Sequence, residues 1–421
     1  MKKEHELYKQ LRKPNSLRKA WHKVRSNGLK SKSVDTREQI KEFDALSDKY
    51  LAIIARQLRE GRFKFGASLG VAADKGNNKG HRPIVIAPIA SRVVQRAILD
   101  ALQSYQPLAP YFEVETSFGG IKKRSVEGAV SKVYECITSG NAKHFVRSDI
   151  KSFFTKIPKD RIFEVIDREV GDSFFLDFFK NAVTTELSNM ADLGSSRDLF
   201  PLHEIGVAQG SCLSPLIGNI VLSEFDRLLN TDDIACIRYI DDFIILAPNK
   251  NDLVRCFTKA QKILAGLGME AYKPDAGPEK CAIGPTANTI PFLGCEIRKG
   301  MIRPGKKSCD RLIATLERQI EISQGLMPTP DRLVKRRMTF IETLENCGNV
   351  LRGWGSQYSF CNDYGLTKKL DEKVDSIIRN YISYYSNIAR KLEAQDTNHR
   401  RRLLGVSLLA DCKNEPIVPN S

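Results

Sequence analysis

The stretch that decides the fold is ACIRYIDDFIILAP, residues 235–248. Two short apolar runs flank the pair Asp241-Asp242, a pattern that predicts a β-hairpin with two carboxylates at its tip. Adjacent anions repel each other unless a positive charge lies beside them, and a divalent cation is the usual solution. We therefore expect a metal-binding hairpin here, although a bare Asp-Asp pair is also common in ordinary turns.

A second carboxylate segment lies upstream at residues 145–154, FVRSDIKSFF, where an apolar strand ends in Asp149. A strand that ended beside the hairpin would supply the third carboxylate; otherwise Asp149 is a helix N-cap or a turn residue. Three such groups can hold two hard cations that activate a primer 3′-hydroxyl and stabilise the leaving pyrophosphate. The sequence therefore predicts nucleotidyl transfer, with Asp149, Asp241 and Asp242 as catalytic residues and metal ligands.

The charge balance indicates a polyanionic partner. Lys and Arg (66) exceed Asp and Glu (50), which gives a formal net charge of +16 and a pI near 9.3. Such a balance suits RNA or DNA, although a solubilising basic surface is the alternative. Residues 1–35 are especially basic and are predicted to be either a nucleic-acid-contacting extension or a solvated tail.

The remaining composition argues for a cytoplasmic protein without a membrane partner. The ten cysteines include no C-x-x-C pair and are expected to be small core residues in a reducing compartment. No apolar run reaches the roughly 18 residues that a membrane helix needs, and the basic N-terminus lacks the apolar core of a secretory signal. There is also no P-loop motif and no HExxH motif.

Periodicity predicts the other elements. Helices are expected at residues 36–60, 89–102, 215–229, 309–324 and 329–346, a strand at 143–148, and extended stretches at 63–73 and 82–87. The turn between those stretches would carry Lys75, Lys79, His81 and Arg82 towards phosphates. A change to basic, helical character predicts a domain boundary near residues 300–304.

These segments resemble, in order, the sequence blocks of reverse transcriptases, especially the bacterial group II intron-like lineage, over residues 82–298 and more weakly beyond. The matching segments are GHRPIVIAP (80–88) with RVVQRAI (92–98), SFGG (117–120), the segment at 149–154, GVAQGSCLSP (206–215), YIDD (239–242), PEK (278–280) and FLG (292–294). The second block lacks its usual arginine-bearing ending. Ala208 and Ser211 replace the commoner Pro and Gly, which is expected to tune activity rather than abolish it.

The resemblance implies an α/β (α+β) right-hand polymerase, with fingers and a palm built on an antiparallel sheet, followed by a helical thumb. The implied organisation is a basic N-terminal extension (1–35), fingers and the start of the palm (36–148), the palm with the catalytic motifs (149–300), a helical thumb or maturase-like module (301–390) and a basic C-terminal tail (391–421).

The resemblance also implies roles for individual residues. Two Mg²⁺ ions, or alternatively Mn²⁺, would be held by Asp149, Asp241 and Asp242 with help from the Ile150 carbonyl. The nucleotide-binding residues would include Ile150, Arg82 on the triphosphate, and Lys280, which would either protonate pyrophosphate or bind the triphosphate. Phe154 would be a steric gate against a 2′-hydroxyl, and Gln209 and Gly210 would pack on the nascent pair and template. Phe292, Leu293 and Gly294 would form the primer grip. For Phe154 the alternative is simple core packing, which is also the role expected for Phe153.

The implied activity is that of an RNA-directed DNA polymerase, with dNTPs, an RNA template and an RNA–DNA duplex as partners. The segment NVLRGW (349–354) resembles the thumb of group II intron proteins, and no HNH-type endonuclease is expected after it. This domain content resembles bacterial antiphage reverse transcriptases that copy a dedicated structured noncoding RNA. Two alternatives stay open: an endonuclease-less intron maturase that helps RNA to fold, and a template-independent or protein-primed DNA polymerase.

Overall fold

The computed structural model describes residues 6–409, except 32, 75, 77–79, 232 and 395. The chain divides into two units, Met1–Asn288 and Thr289–Ser421, called unit 1 and unit 2 below. The boundary expected near residues 300–304 falls instead inside a β-hairpin, because Arg298 pairs with Met301. Cross-strand hydrogen bonds there keep both sides of residue 300 in one sheet.

Unit 1 carries the fingers hairpin and the palm sheet. Its elements are α1 (Glu6–Leu11), α2 (Pro14–Leu29), α3 (Val34–Ala45), α4 (Ser47–Arg59), β1 (Leu69–Asp74), β2 (His81–Ile86), α5 (Ile89–Leu102), α6 (Ala109–Phe112), α7 (Val126–Thr138), β3 (His144–Asp149), α8 (Phe153–Lys156), α9 (Lys159–Val170), α10 (Ser173–Val183), α11 (Ser214–Val221), α12 (Ser223–Leu229), β4 (Ala235–Tyr239), β5 (Asp242–Ala247), α13 (Lys250–Gly266) and β6 (Cys281–Pro285). Short 3-10 helices lie at Gln106–Leu108, Met190–Leu199 and Pro274–Ala276.

Unit 2 begins with a small antiparallel sheet and continues as helices. Its elements are β7 (Ile290–Phe292), β8 (Cys295–Arg298), β9 (Met301–Pro304), α14 (Lys306–Leu326), α15 (Pro330–Lys335), α16 (Phe340–Gln357), α17 (Tyr364–Glu393) and α18 (Thr397–Leu404). Leu316, Met327 and Tyr381 are buried together in the core of these helices. The Ser323 and Tyr381 hydroxyls hydrogen-bond at 2.7 Å inside that core.

The palm sheet has the strand order β4-β5-β3-β6, and every neighbouring pair is antiparallel. Strand β5 is a nearly continuous apolar run, and its residues 243–247 are completely or almost completely buried. Burial of both faces favours such runs over alternating patterns. This sheet, with helices packed around it, confirms the predicted right-hand polymerase fold with an antiparallel palm.

The basic N-terminus is not a solvated tail. Tyr8, Leu17 and Trp21 are buried in the main core of unit 1, and the Tyr8 hydroxyl donates to the Leu58 carbonyl at 2.8 Å. The apolar side chains of α2 recur at helical spacing, so one face packs inward while Lys19 and other cations stay exposed. The high content of Lys and Arg in this segment obscured the helical spacing of its apolar residues.

Three predicted helices are interrupted. The helix expected at 36–60 breaks at Leu46, and the one at 215–229 breaks at Leu222, where the backbone leaves helical geometry. The helix expected at 329–346 divides into α15 and α16, because Arg337 has a positive φ of 53° and Thr339 caps a new helix in a capping box with Glu342. The helix predicted at 89–102 is confirmed as α5.

The fingers hairpin pairs Leu69 with Ile86 and Asp74 with His81. Its first strand is shorter than the stretch predicted at 63–73, and its second is shifted by one residue from the stretch predicted at 82–87. Lys75 and Lys79, which the sequence predicts in a turn, and residues 410–421 of the predicted basic C-terminal tail lie outside the described residues. The nine described cysteines are free, and six of them are buried, as expected for core residues. In the part of the chain that the structure describes, no helix is long and apolar enough to cross a membrane.

Replacing Trp21 by Ala should lower the free energy of unfolding by about 3–5 kcal/mol, because it empties a large buried site. Lys19→Ala on the exposed face of the same helix is the matched control and should change it by less than about 0.5 kcal/mol. Urea denaturation measures both values. Equal, small effects would mean that α2 does not belong to the core.

Candidate active site

The hairpin of β4 and β5 places Asp241 at its tip. Tyr239 pairs with Asp242, so only Ile240 and Asp241 form the connection. Ile240 has a φ of 62°, a left-handed conformation that a β-branched residue rarely adopts. The backbone here is strained, and neighbouring groups must hold it.

Strand β3 lies beside this hairpin in a register that sets Asp149 directly opposite Asp242. The Ile150 N–H also donates to the Asp241 carbonyl at 3.0 Å. The structure thus brings the backbones of all three predicted aspartates to one end of the palm sheet.

The Ile150 backbone also faces the hairpin. Two hydrogen bonds flank it on the other side, from Lys151 N–H to the Glu270 carbonyl at 2.7 Å and from Tyr272 N–H to the Asp149 carbonyl at 3.1 Å. Ile150 is therefore a non-hydrogen-bonded partner of Ala271, and its own N–H and carbonyl point together towards Asp241. That direction suits the metal-assisting role expected for this carbonyl.

Two cations lie against the carboxylates. Arg147 Nη1 is 3.2 Å from Asp149 Oδ1 and 3.7 Å from Asp242 Oδ1, while Lys280 Nζ is 3.7 Å from Asp149 Oδ2. Arg147 Nη2 also donates to the carbonyls of Pro278 (3.1 Å) and Glu279 (2.8 Å). Sequence reasoning missed Arg147; its position two residues before Asp149, on the same face of one strand, was the available signal.

Burial sets the ionisation of the hairpin carboxyls. It raises the pKa of Asp242 to about 9, assisted by a hydrogen bond to Asp149 and by the charges of Asp149 and Asp241, and opposed by Arg147. Burial likewise raises the pKa of Asp241. The raised pKa favours the protonated form of Asp242 when no metal is bound.

Among the described residues, no group of three or more His, Cys, Asp or Glu side chains is already arranged around a single point that could hold a metal ion. Asp149 is engaged with Arg147 and Lys280 instead, and Asp242 is engaged with Arg147 and hydrogen-bonded to Asp149. Their chemistry nevertheless fits a hard divalent cation, because all three are oxygen donors and a cation would replace the proton that burial favours on Asp242. The side chains must turn from their present partners to bind it.

The two aromatics after Asp149 differ in burial. Phe153 is buried and packs against Gly218 so closely that a Cβ atom at position 218 would lie 2.8 Å from the ring. This packing agrees with the core role expected for Phe153. Phe154 is only half-buried, and its carbonyl accepts a hydrogen bond from Val207 N–H at 2.7 Å. Phe154 is thus fixed through its backbone while part of its ring stays accessible.

The loop that carries Gln209 and Gly210 is tied to the fingers strand β2. The Gln209 carbonyl accepts from Val85 N–H at 2.7 Å. Gly210 has a φ of 116°, and a Cβ there would lie 2.7 Å from the Val85 carbonyl oxygen, so only glycine fits. The same strand carries Arg82, which is exposed.

The predicted primer-grip residues belong to unit 2. Phe292 is buried and pairs with Cys295, which leaves Leu293 and Gly294 as a two-residue turn. Their φ values of 48° and 78° are those of a type I′ hairpin turn.

One known protein family matches the part of the chain that contains the palm sheet and the candidate site. Residues 73–297, more than half of the chain, match the family model described as "Reverse transcriptase (RNA-dependent DNA polymerase)". The chain belongs to the reverse transcriptase family. The matched range contains Arg82, the three aspartates, the Gln209-Gly210 loop, Lys280 and the predicted primer grip.

Relatives of this reverse transcriptase include bacterial and intron-encoded proteins. Protein YkfC of Escherichia coli K12 is 28% identical over 186 residues, which cover 43% of this chain and 45% of YkfC. Group II intron-encoded protein LtrA of Lactococcus lactis is 27% identical over 230 residues, or 53% of this chain and 35% of LtrA. The chain thus spans less than half the length of each of these relatives.

Solved structures with some similarity to this reverse transcriptase include a Candida albicans telomerase bound to a fragment of telomeric RNA, with 12% identity and a TM-score of 0.41 over 86% of this chain and 65% of that one. A partial Cas6-RT-Cas1–Cas2 complex matches with 18% identity and a TM-score of 0.35 over 64% of this chain and 44% of that one.

The Asp242→Asn variant should be more stable than the parent at pH 8 when metal is absent. The folded-state pKa of Asp242 lies above its ordinary value of 3.8, so the folded state binds the proton more tightly and the parent loses stability as the pH rises between those values. We expect a gain of about 1 kcal/mol, below what the shift alone implies, because solvent reaches 34% of the side chain.

Urea denaturation in EDTA at pH 8 and pH 4 measures this gain, which should be much smaller at pH 4, where Asp242 is protonated in the folded state and partly protonated in the unfolded state. Added Mg²⁺ should stabilise the parent but not the variant. A variant that is less stable than the parent at pH 8 would contradict the buried-charge account.

Proposed function

We propose that this protein is an RNA-directed DNA polymerase that makes cDNA by two-metal nucleotidyl transfer. The observation that carries the proposal is the register of β3 and β5, which sets Asp149 opposite Asp242 beside Asp241 at the hairpin tip. Membership of the reverse transcriptase family supports it.

In this proposal Asp149, Asp241 and Asp242 hold two Mg²⁺ ions, with Mn²⁺ as an alternative, and the Ile150 carbonyl assists. When bound, the two ions supply activation of the primer 3′-hydroxyl and neutralisation of charge on the leaving group. The chain's own contribution is to hold the three carboxylates half-buried at one end of the palm sheet. Arg147 neutralises Asp149 and Asp242 while the ions are absent.

Cations around the carboxylates would receive the triphosphate. Lys280 Nζ lies 4.7 Å from the centre of the Tyr272 ring and 3.7 Å from Asp149 Oδ2, which holds the ammonium group beside the site where pyrophosphate would leave. Lys280 there either donates a proton to pyrophosphate or binds the triphosphate. Arg82, exposed on β2, would bind the triphosphate from the fingers.

The template and primer would be held by the remaining predicted contacts. Gln209 and Gly210 would pack on the nascent base pair and template, since their loop is fixed to β2. Phe292, Leu293 and Gly294 would support the primer end. The net charge of +16 suits an RNA template and an RNA–DNA duplex.

The narrower part of the proposal is biological: the enzyme copies a dedicated structured noncoding RNA in antiphage defence, in the cytoplasm. Its support is the resemblance, in sequence, of the basic N-terminal region, the palm motifs and the thumb-like segment 349–354 to such enzymes. LtrA is named as a group II intron-encoded protein, and this name favours the maturase alternative, in which RNA folding would survive loss of Asp241 and Asp242.

Sequencing the nucleic acid that purifies with the protein from cells carrying its native flanking DNA separates these functions. One discrete RNA, with complementary DNA made after addition of Mg²⁺ and dNTPs, supports the dedicated-template polymerase. Intron RNA without cDNA supports the maturase, and DNA made after complete RNase treatment supports template-independent synthesis. Phage plating with and without the intact locus then tests defence, and equal plating across a broad phage panel would count against it.

The Phe154→Ala variant should incorporate ribonucleotides about tenfold or more better relative to deoxynucleotides, because the half-exposed ring no longer blocks a 2′-hydroxyl. Single-nucleotide extension with matched rNTP and dNTP pairs measures the ratio. Phe153→Leu, in the adjacent buried position, is the control and should lower stability without changing sugar choice. If Phe154→Ala discriminates as the parent does, its ring is ordinary packing.

A further inference from the structure

A fully buried ion pair lies directly behind the catalytic hairpin. The side chains of Arg238 and Asp226 are 0% and 1% exposed. Arg238 Nε donates to Asp226 Oδ1 at 2.7 Å and Nη2 donates to Oδ2 at 2.5 Å, a bidentate pair.

The rest of the guanidinium is also satisfied. Arg238 Nη2 donates to the Ser117 hydroxyl at 2.8 Å, and Nη1 donates to Asn219 Oδ1 at 3.0 Å and to the Ile240 carbonyl at 2.8 Å. These bonds and the pair with Asp226 use all five guanidinium N–H donors. A lysine has three donors and could not reproduce the set.

The hydrogen bond to the Ile240 carbonyl connects Arg238 to the turn of the hairpin. Ile240 is the left-handed residue of the hairpin turn, and Asp241 follows it immediately. The loop that contains Ser117 runs beside β4, because Phe118 N–H donates to the Arg238 carbonyl and Arg238 N–H to the Thr116 carbonyl, both at 2.9 Å. The turn is therefore held both at its carbonyl and along its strand.

Stability does not account for this pair. Removing two charges from water costs several kcal/mol each, and replacing such a pair by apolar residues is often neutral or stabilising. A role in positioning the hairpin turn does account for it, since Arg238 donates a hydrogen bond to the carbonyl of Ile240, the strained residue of that turn.

We propose that Arg238 is a positioning residue: through its hydrogen bond to the Ile240 carbonyl it holds the left-handed turn that keeps Asp241 and Asp242 aligned with Asp149 for divalent metal binding. The inference rests on the proposed function, which makes those carboxylates the metal ligands. Arg238 itself contacts neither metal nor substrate.

The test is the paired replacement Arg238→Met with Asp226→Leu, which removes both charges and the bond to Ile240 while filling the same space. Its melting temperature should stay within about 5 °C of the parent. The dissociation constant for Mn²⁺, measured by electron paramagnetic resonance without nucleic acid, should rise about 10–100-fold, as for other residues that orient metal ligands. Parental Mn²⁺ affinity in this folded variant would overturn the proposal.

Arg238→Lys provides a second variant that keeps a cation against Asp226, in case the double variant does not fold. It should also weaken Mn²⁺ binding, because three donors cannot serve Asp226, Ser117, Asn219 and Ile240 together. Parental affinity in this variant would likewise overturn the proposal.

Adding Ile240→Gly to either variant should restore Mn²⁺ affinity to within about threefold of the parent, since glycine adopts positive φ without strain. No gain in affinity from the glycine would contradict the proposal that Arg238 acts through the turn.

Tyr8→Phe is the matched control, because it deletes one buried hydrogen bond in the same unit, to the Leu58 carbonyl. It should cost about 1 kcal/mol of stability and leave Mn²⁺ affinity unchanged. An equal loss of affinity in this control would show general destabilisation and would contradict the positioning role. Because Mn²⁺ binding is measured without template or dNTP, a parent that binds Mn²⁺ but does not synthesise DNA would count against the proposed function alone.

Discussion

The antiparallel register between β3 and β5 is the constraint on which the rest of the site depends. Side chains alternate between the two faces of a strand, so a slip by one residue would send Asp149 to the opposite face from Asp242. Strand β3 is paired on both sides, since Phe145 lies opposite Leu246 of β5 and opposite Gly284 of β6, where the small residue leaves room for the Phe145 ring. Core packing and catalytic geometry are thus set by the same pairing.

That pairing has an electrostatic cost. Burial raises the pKa of Asp241 and of Asp242, which favours a protonated Asp242 when no metal is bound. Arg147 balances part of the remaining negative charge through its ion pairs with Asp149 and Asp242. Perturbed carboxylates of this kind are common at functional sites, because binding and catalysis need groups that the fold alone would not favour. A divalent cation offsets the cost, which couples metal binding to the stability of the palm.

The sequence was sufficient for features with local signals. Apolar runs around Asp241-Asp242 predicted the hairpin, and helical spacing predicted α5 to the residue. It did not reveal the buried network of Arg238, because partners such as Ser117, 121 residues away, are distant in sequence. Arg147 was missed although one of its partners, Asp149, lies only two residues further along the same strand. The N-terminal helices were misread for a related reason, since their cations dominate composition while Tyr8 and Trp21 enter the core. Roles for Arg82, Phe154, Lys280 and the primer grip stay predictions.

The most direct measurement of the central claim is primer extension by the purified protein on an RNA template of defined sequence, with an annealed DNA primer, Mg²⁺ and all four dNTPs. The account predicts DNA whose sequence is complementary to the template, and a loss of synthesis by about a thousandfold or more in a folded Asp241→Ala, Asp242→Ala double variant. Substantial synthesis by that variant, or DNA whose sequence ignores the template, would contradict it.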